Sequence, residues 1–273
     1  MIVPDRWEHF VPRFSANIGM LFNELDVVER FAAAKRAGFG AIEMGFPYDT
    51  PLAGLRAAKD AHGLDMTVTN VPAGDLMKGG PGLAAMPGRE DEFKRAVEQA
   101  CTYASELRPG AVNILAGAPP LDQFSRAQCL EVLAKNAAYA AGELASIGIR
   151  AILEAINTRD SPKFLISRTE QSLDVVRRAG HPNLGIEFDI YHMSIMGEDV
   201  VDQIARHKSL IGNIQFADDP GRHEPGSGRL DFARIFAGVD QAGWTGYLAA
   251  EYRPSGPKTE DSLGWMKPYL NNH

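Results

Sequence analysis

One pattern repeats along the chain: a short continuous apolar run, a polar or Gly/Pro turn, then a stretch whose apolar residues recur at helical spacing. Runs that are apolar at every position, rather than at alternate ones, are the signature of strands buried on both faces, as in a parallel sheet covered by helices. The pattern predicts eight strands, over residues 14–18, 41–44, 66–70, 111–115, 149–154, 184–189, 211–215 and 247–251. Helices are predicted between them, for instance over 26–37, 89–106, 123–147 and 170–178, in segments rich in Ala, Leu, Glu, Lys and Arg. Gly38, Gly63, Gly148 and Gly180 stand where several of these helices should stop, since glycine adopts the left-handed conformation that ends a helix without a steric penalty.

Eight strands alternating with helices predict a single (β/α)8 TIM barrel over residues 1–273, with 1–12 as a short N-terminal extension. No linker, repeat or low-complexity tract interrupts the alternation. A doubly wound open sheet is the competing topology, but the first strand-to-helix turn, NIGMLFNEL, lacks the glycine spacing that seats a dinucleotide.

Composition narrows the function. A formal charge of −7, from 28 basic and 35 acidic residues, argues against a nucleic-acid partner. No apolar stretch reaches membrane-spanning length, and the charged, proline-containing start does not read as a signal peptide. Cys101 and Cys129 form no CxxC pair, so neither a disulfide framework nor a thiolate zinc site is expected, and a reducing cytoplasm is the expected location.

Barrel chemistry sits at the carboxyl ends of the strands, so the residue that closes each apolar run matters most. Strand two carries Glu43, strand three ends at Asn70, strand five at Glu154, strand six at Asp189, strand seven at Gln215 and strand eight at Glu251. Taken singly, a carboxylate at a strand end is as well explained as a helix cap or an arginine partner. Four oxygen-bearing side chains on four consecutive strands would instead converge on one side of the mouth. Three carboxylates there would repel unless neutralised by a cation, and an all-oxygen set suits Mg2+ or Mn2+ better than zinc. Glu154, Asp189, Gln215 and Glu251 are therefore the expected ligands of a divalent metal.

The sequence resembles the hydroxypyruvate isomerase family, among the xylose-isomerase-like barrels. The likeness covers nearly the whole chain and is carried by PRFSANIGMLF, AIEMGFPYD, NVPAGDLMKGGPGLAAMPGRE, EAINTRD, FDIYHM, IQFADDPGRHEPGSG and AAEYRP. It implies that Glu154 and Glu251 are an acid/base pair, that Asp189 and Gln215 complete the metal position, and that His192 contacts substrate. It also implies conversion of hydroxypyruvate to tartronate semialdehyde through an enediolate. Two positions depart from the family pattern: Ala155 stands where proline is usual, and Gln215 where histidine is usual. A neutral amide is a poorer ligand than imidazole for most divalent ions.

The carboxylate of a small hydroxy or oxo acid needs a cation. Arg222, in a glycine-flanked turn, is the first expectation and Arg159 the second, each with an ordinary loop ion pair as its alternative. Asn70 would bind a substrate hydroxyl or satisfy loop backbone, and Glu43 is similarly open. Phe46, Leu76 and Met77 are apolar loop residues suited to a lid or to the contact of a homo-oligomer. The nearest competing activity is isomerisation of a 2-oxo-tetronate. A ketose 3-epimerase fits less well, an endonuclease would need more histidine ligands and a basic face, and a non-catalytic sugar-acid binding barrel would not need both glutamates.

Overall fold

The computed structural model describes residues 12–270, so the expected N-terminal extension lies outside the described residues except for Pro12. Strands and helices alternate along the chain: β1 (Arg13–Asn17), α1 (Val27–Arg36), β2 (Ala41–Glu43), α2 (Leu52–Ala61), β3 (Asp65–Met66), β4 (Val68–Asn70), α3 (Glu90–Leu107), β5 (Ala111–Leu115), α4 (Arg126–Ser146) and β6 (Arg150–Glu154). They continue with α5 (Thr169–Ala179), β7 (Leu184–Asp189), α6 (Ile190–Ile195), α7 (Val200–His207), β8 (Ile211–Phe216), α8 (Phe232–Gln241), β9 (Tyr247–Ala250) and α9 (Lys267–Leu270). All strand pairings are parallel, and β9 pairs back onto β1 through Phe14 opposite Leu248 and Ala16 opposite Ala250.

The third expected strand is in two pieces. β3 ladders onto β2 and β4 onto β5, with Thr67 as the point of exchange. Thr67 still donates its backbone N–H to Ile42 O at 2.8 Å, and its carbonyl accepts from Ala111 N at 3.0 Å. Bonds from Met44 N to Val68 O and from Asn70 N to Gly45 O continue the seam, so the two pieces act as one barrel strand bonded on both sides. The arrangement is the TIM barrel.

The helices end as their glycines dictate, with φ of +96° at Gly38, +57° at Gly63, +70° at Gly148 and +62° at Gly180. Apolar packing fills the space between barrel and helices. Around β1, β8 and β9, Phe14 meets Trp265 edge-on at 4.9 Å between centroids, and Phe216 packs against Phe232, Phe236 and Trp265. On the opposite side, the small faces of α3 and α4, including Ala100, Ala104, Ala137 and Ala141, bury against β5 and β6. Cys129 is buried in this cluster and Cys101 packs beside it, both as free thiols.

The barrel lumen is unlike this shell. Apolar side chains meet there in a small layer formed by Val68, Ala111 and Ile152. Above it the inward positions are polar, and because side chains alternate along a strand, Glu187 and Asp189, Asn213 and Gln215, and Ser15 and Asn17 each supply two successive tiers. No helix among the described residues is long and apolar enough to cross a membrane.

Candidate active site

The polar tiers open into a cavity of about 840 Å³ at the carboxyl ends of the strands, lined among others by Asn17, Asn70, Glu154, His192, Arg222 and Glu251. Its size is typical of small-molecule sites.

Glu154 ends β6, is buried, and accepts a hydrogen bond through Oε2 from Asn113 Nδ2 at 2.9 Å. Glu251 follows β9 directly, its backbone N–H bonded to Phe216 O. One of its oxygens is held by Arg222 Nη2 and the other by Asn17 Nδ2, the latter at 2.9 Å. Asp189 ends β7 and caps α6, accepting from Tyr191 N at 2.7 Å, while its free oxygen lies 3.5 Å from Arg222 Nη2. Burial raises all three carboxyls above the ordinary carboxylate range. For Glu154 the charges of Glu251 and Asp189 add to the rise, whereas Arg222 offsets it for Glu251 and Asp189. One guanidinium among three carboxylates leaves negative charge uncompensated when all are ionised, so the site favours holding a proton.

His192 lies on the short helix that Asp189 caps, which turns its ring into the mouth. Asn157 Oδ1 accepts from Asp160 N at 2.8 Å, which fixes the amide so that Nδ2 faces the ring and donates to His192 Nδ1 at 2.6 Å. With Nδ1 as acceptor, the proton resides on Nε2, which points at Asp189 Oδ2, 3.4 Å away, and Glu154 Oε1, 3.8 Å away. Burial, and then the nearby Arg222, push the imidazole down to about 3, so the ring is a neutral donor at physiological pH.

Arg222 reaches the centre from the loop after β8. Its backbone φ of +57° is unusual for a residue with a side chain and follows Gly221 at +100°. The loop is organised by Asp218, which is fully buried and accepts four backbone N–H groups: Gly226 and Gly228 on Oδ2, Asp219 and Leu230 on Oδ1, at 2.8–3.0 Å. Arg253 N bonds to Arg222 O at 2.8 Å and His223 Nδ1 to Arg253 O at 2.7 Å, tying the loop to the end of β9.

The structure thus brings Glu154, Asp189, His192, Arg222 and Glu251 together. Arg222 lines the cavity and is paired through Nη2 with Glu251 and Asp189 inside the site, rather than with a surface aspartate. Arg159 stays outside the cavity lining, pairing with the buried Asp219 at 2.7 Å and with Tyr191 Oη at 3.0 Å. Asn70 lines the cavity, and its side chain passes so close to Gly45 that a Cβ there would come within 3.0 Å of Nδ2. Gln215 stands opposite Asp189 on the neighbouring strand but outside the cavity lining, and its amide donates to Glu43 Oε1 at 2.6 Å. Phe46 and Leu76 form part of the cavity wall, and Met77 stands on it 71% exposed.

Sequence reasoning left Glu43 open and passed over Asn17, Asn113, Asn157, Glu187, Asn213 and Asp218. Glu43 and Glu187 are buried and share Asn213, whose Nδ2 donates to both at 2.9 and 2.8 Å. For Asn17 and Glu187 a signal existed: Asn17 is a polar residue next to the end of the first apolar run, and Glu187 stands two residues before Asp189, on the same face of its strand.

The donor set fits a divalent cation. Carboxylate oxygens of Glu154 and Asp189 lie within 4.8 Å of one another, beside the Nε2–H of His192, which faces them as a donor and not as a ligand. Gln215 Oε1 is buried without a hydrogen-bond partner, as an oxygen awaiting a cation would be.

A family profile described as xylose isomerase-like TIM barrel matches residues 31–269. The 2-oxo-tetronate isomerase of Cupriavidus necator is 40% identical, over 95% of this chain and 99% of that protein. The hydroxypyruvate isomerase of Escherichia coli is 38% identical, over 94% and 99%. Among solved structures, one titled AP endonuclease, family 2, from Brucella melitensis superposes with a TM-score of 0.90 at 36% identity, covering 94% of this chain and 99% of that one. A 3-keto-D-glucoside 4-epimerase from E. coli reaches 0.77 at 19% identity, over 95% and 100%, a likeness of fold alone. With its closed parallel barrel, its carboxylate-lined mouth and near-full-length relatives named as isomerases, the chain is an isomerase that belongs to the xylose isomerase-like TIM barrel family.

Proposed function

We propose that the enzyme interconverts hydroxypyruvate and 2-hydroxy-3-oxopropanoate, with Glu154 and Glu251 as the acid/base pair. The observation that carries the reading is that these two carboxyls, from β6 and from the end of β9, line one cavity, each with a raised affinity for protons. One takes a proton from the hydroxymethyl carbon, an enediolate forms, a proton returns to the former carbonyl carbon, and the hydroxyl proton passes to the former carbonyl oxygen as the aldehyde forms. A base whose affinity for protons is raised is better matched to a weak carbon acid. His192 donates Nε2–H to the oxygen on which charge develops. Arg222 holds Glu251 and adds positive charge beside the substrate's oxygens.

Glu154, Asp189, Gln215 and Glu251, with His192 adjacent, would hold Mg2+ or Mn2+. Bound there, the ion would polarise the substrate's carbonyl and hydroxyl oxygens. Two free cysteines fit action in a reducing cytoplasm, and exposed Met77 would serve a lid or the contact of a homo-oligomer.

A second reading, isomerisation of a four-carbon 2-oxo-tetronate, is favoured by the likeness to the Cupriavidus necator 2-oxo-tetronate isomerase, and the 840 Å³ cavity admits either acid. Purified enzyme given each acid in deuterated water and followed by NMR tests both. Conversion with deuterium at the reacting carbon is expected, and the acid with the higher kcat/KM identifies the substrate. Turnover with no solvent deuterium in product would count against proton exchange at the two glutamates.

A further inference from the structure

We infer that Asn17, backed by Glu43, is a positioning residue for Glu251, an inference that rests on Glu251 being one of the acid/base pair. Asn17 closes β1 directly opposite Glu43 on β2. Its side-chain amide spans two carboxyls: Nδ2 donates to Glu43 Oε1 at 2.8 Å and to Glu251 Oε1 at 2.9 Å. The amide cannot face the other way, because Oδ1 accepts the N–H of Gly19 at 3.0 Å. Behind it, Glu43 is fully buried and held by two further amides, Gln215 Nε2 at 2.6 Å and Asn213 Nδ2 at 2.9 Å.

Glu251 is thereby gripped at both oxygens, by a cation from the β8–α8 loop and by a neutral amide from the opposite side of the barrel seam. Glu154 has a single amide on one oxygen, Asn113, and keeps the other toward His192. Arg222 alone would let the Glu251 carboxyl pivot about its one anchored oxygen. The second anchor sets the plane of the carboxyl and so the direction of the lone pair that faces the cavity. Asn17→Asp would face Glu251 and Glu43 with a third carboxylate, and Asn17→Ala would leave Oε1 of Glu251 without its amide donor, whereas Oε1 of Glu43 keeps Gln215. A proton-transfer group that pivots off its line of attack loses rate while substrate binding survives, since misplacement by about 1 Å can cost on the order of 100-fold.

The test is a double-mutant cycle on the intact enzyme with Asn17→Ala, Glu43→Gln and the pair, each measured for kcat and KM, alongside crystal structures of wild type and Asn17→Ala. Asn17→Ala is expected to lower kcat by about 10- to 100-fold with KM changed less than about threefold. Glu43→Gln should lower kcat in the wild-type background and add little to Asn17→Ala, because it acts through the same amide. In the crystal, Glu251 should keep Arg222 and rotate away from its wild-type plane. An unchanged kcat, fully multiplicative effects, or an unmoved Glu251 would each overturn the inference. Should Asn17→Ala not fold, the isosteric Asn17→Asp serves, with an equal or larger loss of kcat expected. If wild type converts neither acid while Glu251 still rotates in the variant, the functional reading fails and the positioning stands.

Discussion

Asn157 Nδ2 donates to His192 Nδ1 at 2.6 Å, supported by the Asn157 backbone N–H at 3.4 Å, and together they place the proton of the buried imidazole on Nε2, facing Glu154 and Asp189. Replacing the donor by an acceptor should reverse the tautomer. Asn157→Asp is expected to draw the proton to Nδ1 and lower kcat by roughly 10- to 100-fold, the usual worth of a positioned donor. Nitrogen-15 NMR of the histidine ring checks the tautomer directly: a wild-type ring protonated on Nδ1 would overturn the assignment.

The two glutamates have separate supports, Asn113 for Glu154 and Asn17 with Arg222 for Glu251, so neither substitutes for the other. Glu154→Gln and Glu251→Gln should each reduce kcat by on the order of a thousandfold while near-ultraviolet circular dichroism stays that of wild type. Near-wild-type turnover in either variant would rule out the paired mechanism.

Glu43 should make stability depend on pH. Burial, and then the charge of Glu251, push it from 4.5 up to about 8, against the pull of its three amide donors. Between those values the folded protein retains a proton that the unfolded chain releases, so the native state binds more protons and unfolding free energy falls as pH rises. The contribution is fully present below about pH 4.5 and is lost as pH climbs through about 8. Thermal unfolding in the presence of chelator should show a midpoint that declines from pH 5 to pH 8, with a shallower decline in Glu43→Gln. An equal slope in the two proteins would show that Glu43 is not the group responsible.

In the proposed metal position Gln215 would supply an amide oxygen, where an imidazole nitrogen would bind a transition ion more tightly. Chelation should lower activity and Mg2+ or Mn2+ restore it. Gln215→His should tighten Mn2+ binding by roughly tenfold, measured by electron paramagnetic resonance in the absence of substrate. The same change removes a donor from Glu43, so its effect on kcat need not follow affinity. Unaltered Mn2+ affinity in Gln215→His would place the ion elsewhere.

Asp218 is a structural hub for the loop that delivers Arg222. Asp218→Ala removes the acceptor for four backbone N–H groups, and each donor left unpaired in a buried place costs about 1–3 kcal/mol. Because part of the loop can rehydrate, a net loss of about 2–4 kcal/mol in chemical denaturation is expected, together with loss of activity. A variant that keeps both would show the loop to be held by its other contacts.

Read by itself, the sequence determined the barrel, the order of its elements, the helix stops at Gly38, Gly63, Gly148 and Gly180, and the strand-end set Glu154, Asp189, Gln215 and Glu251. These are legible because they are local: fully apolar runs, helical periodicity and the alternation of side chains along a strand are properties of a few neighbouring residues. Closure of the barrel decided the rest. Asn17 and Glu251 are 234 positions apart and meet because β1 pairs with β9. Asn157 shows in sequence only as a loop residue; its role comes from the turn that sets it against His192. Along the chain Arg222 and Arg159 are both loop arginines, the first preferred only for its glycine-flanked turn, yet a left-handed backbone sends Arg222 inward to Glu251 while Asp219 keeps Arg159 outside the cavity lining. The split at Thr67 arises in the same way, where one strand must satisfy two neighbours whose registers only the closed sheet defines. Hydrogen bonds between distant side chains depend on distances and angles that no spacing along the chain encodes, so the proton's place on His192 and the grip on Glu251 belong to the tertiary structure alone.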